Sequence, residues 1–485
     1  MTIEEVRTAV ARSLAQALAG ADVEIPAAEA IVIERPKSRE HGDYATNAAL
    51  ALAKKAGRNP RELAEQIAEQ LRGAPGIAAV EIAGPGFVNI TLEAAAQGEV
   101  ARTVVTEGEA YGHTDTLAGL RVNVEFISAN PTGPLHLGHT RWAAVGDAIA
   151  RVFAAAGADV AREFYINDRG VQMDKFGASV MAAAHGRPVP EDGYHGGYIT
   201  DLAAAIIAED PDILDQPEDE QLVAFREAAY AKQLRQQQQV LDLFRTHFDV
   251  WYSERELHDS GAVERGLERL REQGHVFEEE GAVWLRTTDF GDDKDRVLVK
   301  ADGEYTYFAS DTAYYVDKRA RGFDRNIYLL GADHHGYVNR LRAVAACAGD
   351  DMDANIEILI GQLVKITRGG EEVKLSKRAG NIVTLEDLVE EVGVDAARYT
   401  LTRYPVDSPL TLDLETITRQ TNDNPVFYVQ YAHARISSVL RNAAELGIDW
   451  RAADFQPGAL THEREDDLLG KLAEFPRIVA SAAEL

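Results

Sequence analysis

Cysteine is nearly missing from this chain: Cys347 is the only one in 485 residues. That excludes intrachain disulfides and zinc sites built from several thiolates. Positive charge is also scarce, with 50 Lys and Arg against 79 Asp and Glu and a formal net charge of −29. So acidic a chain is no generic nucleic-acid binder. A local basic groove stays available, because screening confines charge effects to about 10 Å in cell-like salt. No apolar run is long enough to cross a bilayer. The opening Met1-Thr-Ile-Glu-Glu-Val lacks the basic-then-apolar order of a secretion signal. A cytoplasmic protein without membrane contact is expected, and its length predicts two to four domains.

The most informative stretch is Arg121 to Gly157. Arg121 to Ile127 alternates apolar and polar residues and predicts a strand. Pro131, Gly133 and Pro134 break the next ten residues. From His139 apolar residues recur at helical spacing through Trp142, Val145, Ile149 and Val152. A strand, a Pro/Gly loop and a helix N-terminus make an anion site, because free amides and the helix dipole point into it. His136 and His139 flank Gly138, whose bare backbone admits a bulky ligand. Taken alone, the motif is matched evenly by a plain turn with two surface histidines.

Around it, helices are expected at 2–20, 45–56 and 60–74, and a turn with a strand at 84–92. Residues 158–170 supply a second strand ending in Asn167 and Asp168, which makes a βαβ crossover and hence a parallel sheet. Residues 171–275 are expected to be mostly helical, with the run Gln236–Gln239 on an exposed helix face. Short antiparallel strands follow over 281–308, and the sheet resumes at 326–331 and 355–361 around a helix at 337–348. Helices are expected at 385–403, 413–420, 424–446 and 465–485.

Between 362 and 381 the acidic background reverses. Lys365, Arg368, Lys374, Lys377 and Arg378 outweigh Glu371 and Glu372, with Gly369, Gly370 and Gly380 beside them. Lysine ammonium groups on long stems can follow charge as it builds on a departing pyrophosphate. By itself such a loop is more often a solvated basic turn.

Together, Pro131-Thr-Gly-Pro-Leu-His-Leu-Gly-His139 and Lys374-Leu-Ser-Lys-Arg378 resemble the paired HIGH and KMSKS signatures of class I aminoacyl-tRNA synthetases. The segments Glu125–His139, Tyr305–Ala313 and Asn424–Arg435 look like the arginyl-tRNA synthetase family. The resemblance covers nearly the whole chain. It implies an α/β fold with a doubly wound, Rossmann-like catalytic sheet carrying an insertion, a small N-terminal α/β domain and a C-terminal helical anticodon-binding domain. The implied divisions are 1–112, 113–384 with the insertion at about 176–305, and 385–485. It implies ATP-dependent activation of L-arginine and transfer to the terminal ribose of tRNA(Arg), with Mg2+ accompanying ATP.

In that pattern His136, His139, Lys374 and Lys377 carry the chemistry. Pro131, Gly133, Gly138 and Ser376 complete the ATP site. Glu125, Ser128, Asn130, Tyr307, Asp311 and His334 hold arginine, and Phe87, Asn89, Tyr428, Tyr431 and Arg435 meet tRNA. The family often places an amide near position 334, where this chain offers Asp333, His334 and His335. No third ligand is spaced to join those histidines, so no structural zinc is expected. The family pattern also continues past residue 485, so a shortened anticodon domain and weak aminoacylation are expected, in a monomer. The rival readings are another class I synthetase, a small-molecule nucleotidyltransferase, and a non-catalytic RNA-binding protein derived from this fold.

Overall fold

The computed structural model describes residues 1–21, 23–373, 383–449 and 454–484. They form two compact units, Met1–Thr116 with Arg441–Leu485, and Leu117–Leu440.

In the first unit, helices α1 (Ile3–Ala17), α2 (Ala48–Ala53) and α3 (Pro60–Leu71) cover an antiparallel sheet. Its strands are β1 (Ile33–Glu34), β2 (Tyr44–Thr46), β3 (Ile77–Ala83) and β4 (Phe87–Leu92), in the order β1-β2-β4-β3. Capping explains where the helices begin. Thr2 and Glu5 form a reciprocal box at α1, and Asn59 caps α3 ahead of Pro60. The apolar faces of both helices, including Val6, Val10, Leu14, Leu63, Ile67 and Leu71, close the core against Val88 and Ile90. Helix α4 (Ala94–Glu107) completes this region.

The second unit is built on a five-stranded parallel sheet of β5 (Arg121–Glu125), β6 (Asp159–Ile166), β7 (Val250–Ser253), β11 (Arg325–Gly331) and β12 (Ile356–Gly361). The spatial order β12-β11-β5-β6-β7 reverses between β5 and β11. Helix α5 (Leu137–Ala155) makes the crossover from β5 to β6 and is buried along most of its length. Gly146 lets it lie on the sheet, since a Cβ there would stand 2.3 Å from the Phe126 ring.

Between β6 and β7 run α6 (Val171–Ala184), α7 (Gly197–Glu209) and α8 (Glu218–Leu243). Strand β7 lies inside the stretch expected to be helical; four residues, Val-Trp-Tyr-Ser, are too few to show a period. After it come α9 (Glu254–Asp259), α10 (Ala262–Glu272) and the antiparallel trio β8 (Val276–Glu279), β9 (Ala282–Leu285) and β10 (Arg296–Val299). Helices α11 (Tyr307–Ala320) and α12 (Val338–Cys347) flank β11. A second small sheet holds β13 (Val364–Arg368), β14 (Glu371–Glu372) and β15 (Leu410–Asp413).

The expected helix at 385–403 is two, α13 (Leu385–Val392) and α14 (Val394–Thr402), split at Gly393 with φ 78°. Then follow α15 (Leu414–Thr418), α16 (Pro425–Glu445) and, in the first unit, α17 (Glu463–Ala483).

The glutamine expectation needs correcting. Within the run on α8, Gln237 is 0% exposed, Gln236 and Gln238 are half-buried, and only Gln239 is exposed. A four-residue polar run spans one helical turn, so part of it must face inward.

Candidate active site

In doubly wound sheets ligands lie beyond the carboxyl ends of the strands where the order reverses. Here that crevice is bounded by the chain leaving β5 and β11. The backbone turns sharply after β5, with φ of 69° at Ile127 and 45° at Ser128. Two consecutive non-glycine residues in the left-handed region cost about 1–3 kcal/mol each, which surrounding contacts must offset. Ser128 Oγ donates to Glu125 Oε1 (2.9 Å) and accepts from the Tyr165 amide (3.2 Å). Downstream, Tyr198 donates to the Thr132 carbonyl (3.0 Å), and Gln237 donates to the carbonyls of Asn130 (3.0 Å) and Gly133 (2.8 Å).

His136 is the N-cap of α5. Its Nδ1 accepts from the Gly138 amide (3.1 Å), and His139 Nδ1 accepts from the His136 amide (3.3 Å). The two rings lie 3.9 Å apart. Desolvation lowers the pKa of both imidazoles; His139 is pushed to about 3 by burial and then by His136. Both are therefore neutral at pH 7. Because each Nδ1 accepts a bond, hydrogen bonding assigns each ring proton to Nε2, free to donate to an anion at the helix N-terminus.

Lys374, Ser376 and Lys377 lie outside the described residues. The chain on their far side is tied to the histidine loop. The Leu137 amide donates to the Val383 carbonyl (2.8 Å), the Leu385 amide donates to the Leu135 carbonyl (2.8 Å), and His136 pairs with Thr384 as an antiparallel bridge.

The arginine candidates divide into two groups. Glu125 already has a cation: Lys318 Nζ lies 2.6 Å from its Oε2, with side chains 0% and 9% exposed. Removing one partner of such a pair leaves an uncompensated buried charge, at about 3–5 kcal/mol. Asp311, by contrast, is reached by no hydrogen bond or ion pair among the described residues. Asp311 is half-buried, and the charge of Glu254, the first residue of α9, acts on it; Glu254 is 4% exposed and has no hydrogen bond or ion pair there either. Burial, then the Glu254 and Glu125 carboxylates, push Asp311 up to about 7. Glu254 is likewise pushed to about 7, first by burial. Both carboxylates also act on Tyr165, whose hydroxyl pKa is raised by burial and then by Glu254, Asp311, Glu125 and Asp168. The acidic pair and the loop at Ser128 thus share one tyrosine.

Tyr307, one turn before Asp311, is 75% exposed, with its hydroxyl against Gly170. Asn130 Nδ2 donates to Gln172 Oε1 (2.7 Å). His334 Nδ1 stands 3.0 Å from Asp333 Oδ1, both exposed, at the carboxyl end of β11. Of the RNA candidates in the first unit, Phe87 is exposed at 41% and Asn89 is buried at 7%. On α16, Tyr428, Tyr431 and Arg435 are exposed, and Arg435 donates to the Tyr431 hydroxyl (3.1 Å).

Glu254, Lys318 and Gln237 escape sequence reasoning. Glu254 sits in Tyr-Ser-Glu-Arg-Glu-Leu, where a glutamate after a serine signals only a helix start.

A nucleotide-type crevice at the switch point of a parallel sheet, entered by a histidine-capped helix, is the architecture of a class I aminoacyl-tRNA synthetase. The family model for the class I (R) catalytic domain matches residues 102–413. The model for the arginyl-tRNA synthetase N-terminal domain matches 4–92, and that for the DALR anticodon-binding domain matches 429–485. The chain belongs to the arginyl-tRNA synthetase family. It is 56% identical to the arginine–tRNA ligase of Frankia alni over 485 residues, 100% of this chain and 88% of that protein. With the Micrococcus luteus arginine–tRNA ligase it shares 59% over 455 residues, 94% of this chain and 81% of that one. A Campylobacter jejuni crystal structure assigned as an arginyl-tRNA synthetase superposes with a TM-score of 0.67 at 31% identity, covering 81% of this chain and 90% of its own. The Thermus thermophilus enzyme shares the fold, with a TM-score of 0.69 at 22% identity over 99% of this chain and 88% of that one.

Proposed function

We propose the following division of labour in this chain's reaction. The protein ligates arginine to tRNA(Arg). The arginine carboxylate attacks the α-phosphate of ATP, forming arginyl-adenylate and releasing pyrophosphate; the hydroxyl of the terminal ribose of the tRNA then attacks the arginyl carbonyl, breaking its bond to the phosphate and releasing AMP. Reactions of this type depend mainly on positioning and on stabilising charge as it develops. His136 and His139, neutral and presenting Nε2–H, donate to the phosphates, while Gly138 and the loop at Pro131 and Gly133 admit the nucleotide. Mg2+ enters with ATP. Lys374 and Lys377 take up the charge on pyrophosphate, and Ser376 holds their segment. Asn130 and Ser128 orient the amino-acid head group, Tyr307 and His334 line its way in, and Glu125 sets the field beneath it.

The observation that carries this reading is the Asp311–Glu254 pair. A half-buried and a buried carboxylate that make no hydrogen bond or ion pair among the described residues, with Arg340 and Arg169 acting on them only beyond ion-pair distance, are a costly arrangement that a guanidinium relieves. A guanidinium is planar and takes two carboxylates at once, so lysine is a poor substitute.

The pH dependence follows. An acid raised to about 7 keeps its proton in the empty folded protein, so stability falls as pH rises from about 4 towards 7. Arginine stays charged throughout and binds the ionised pair. Its affinity is expected to rise about a hundred-fold between pH 6 and pH 8, about ten-fold from the ionised fraction of each of the two groups with that pKa. Calorimetric titration of arginine at the two pH values checks this; a pH-independent affinity would remove Asp311 and Glu254 from the pocket.

In the same reading residues 1–112 contact tRNA through the exposed Phe87, and the helical region after 385 reads it through Tyr428, Tyr431 and Arg435. The protein works as a cytoplasmic monomer, and light scattering at 53.0 kDa checks its state.

A further inference from the structure

Gln237 is 0% exposed, and its side-chain oxygen is buried with no hydrogen-bond partner among the described residues. A leucine or methionine would fill the same space without stranding an acceptor, as Phe225, Ala229, Val240 and Leu241 do elsewhere on α8. What the amide offers instead is two N–H donors, both spent on the loop that ends in His136, at the carbonyls of Asn130 and Gly133. The same loop is gripped by Tyr198 from α7 at Thr132 and by Gln172 from α6 at Asn130. Three helices between β6 and β7 therefore converge on six residues that contain two prolines and a glycine.

We propose that Gln237 is a positioning residue for adenylate formation. Its amide fixes the course of residues 130–133, and so sets where the imidazoles of His136 and His139 and the first free amides of α5 stand against the phosphates of ATP. Tyr198 assists from the other side. The inference rests on the loop being the ATP site. It makes the helical segment 171–243 a working part of that site rather than an appendage to the sheet.

The test is arginine-dependent ATP–pyrophosphate exchange by the full chain with tRNA present, per active site counted by a burst of ATP consumption. Gln237→Met keeps length and burial but removes both donors. Its kcat is expected to fall about ten-fold and its KM for ATP to rise several-fold, with KM for arginine within about two-fold of wild type. Tyr198→Phe is expected to move KM for ATP the same way by a smaller factor, and decides the matter if Gln237→Met fails to fold. A lower melting temperature with unchanged constants per active site would overturn the inference, leaving Gln237 a packing residue. His136→Ala separates the two levels. If it leaves KM for ATP unchanged, the ATP-loop reading itself falls; if it raises KM while Gln237→Met and Tyr198→Phe do not, only the positioning role falls.

Discussion

Asp311→Asn is expected to lower kcat/KM for arginine by about three orders of magnitude while leaving KM for ATP nearly unchanged. The carboxamide keeps the shape of the side chain and removes its charge. That strips a bound cation of one partner, a loss of roughly 2–5 kcal/mol and hence of about 30-fold to 5,000-fold in binding. The same substitution is expected to raise the melting temperature of the empty protein above pH 7. The native carboxyl is pushed up to about 7 by burial and by Glu254, so above that pH its charge is opposed by that of Glu254, and the amide removes the opposition. Gain in stability with loss of arginine use is the mark of a site that holds strain for its ligand. Glu254→Gln should show both effects. If Asp311 were only a residue of the first turns of α11, arginine kinetics would not move.

The second large effect is at Lys377. Lys377→Ala is expected to cut kcat for pyrophosphate exchange by about 10²–10³, with KM values for ATP and arginine within a few-fold of wild type. An ammonium that meets charge only as pyrophosphate departs stabilises the transition state more than the bound substrates, so its loss appears in kcat. The structural argument is the anchoring of the segment. The described chain resumes at Val383, whose carbonyl accepts from Leu137 beside His136, so the residues that follow the lysines are fastened to the histidine loop. Pre-steady-state measurement of ATP consumption separates this step from product release. Unaltered turnover would favour a non-catalytic RNA-binding role.

Local patterns carry much of this architecture. The strand from Arg121, the break at Pro131–Pro134 and the helix expected from His139 each have a short-range physical cause; the strand stops at Glu125 rather than Ile127, and the helix starts at Leu137. So are β11, β12 and the helix between them. The order of the strands follows from the crossover rule rather than from any one residue. What local patterns do not carry are partnerships across the fold. Glu125 is neutralised by Lys318, 193 positions away, and no spacing rule joins them. Glu254 follows directly on β7, which pairs with β6, and that strand is too short to announce itself. Gln237 was expected among exposed glutamines; its burial is decided by where α8 crosses the loop at 130–133, a tertiary fact.

The central claim is that the histidine loop and the lysine segment close over one triphosphate at the switch point of the sheet. A crystal structure of the protein with a non-hydrolysable ATP analogue and arginine tests it most directly. The account predicts His136 and His139 Nε2 and the Lys377 ammonium within about 3.5 Å of phosphate oxygens of the same nucleotide, and the guanidinium between Asp311 and Glu254. A triphosphate bound away from His136, or held with Lys377 on the far side of the sheet, would contradict it.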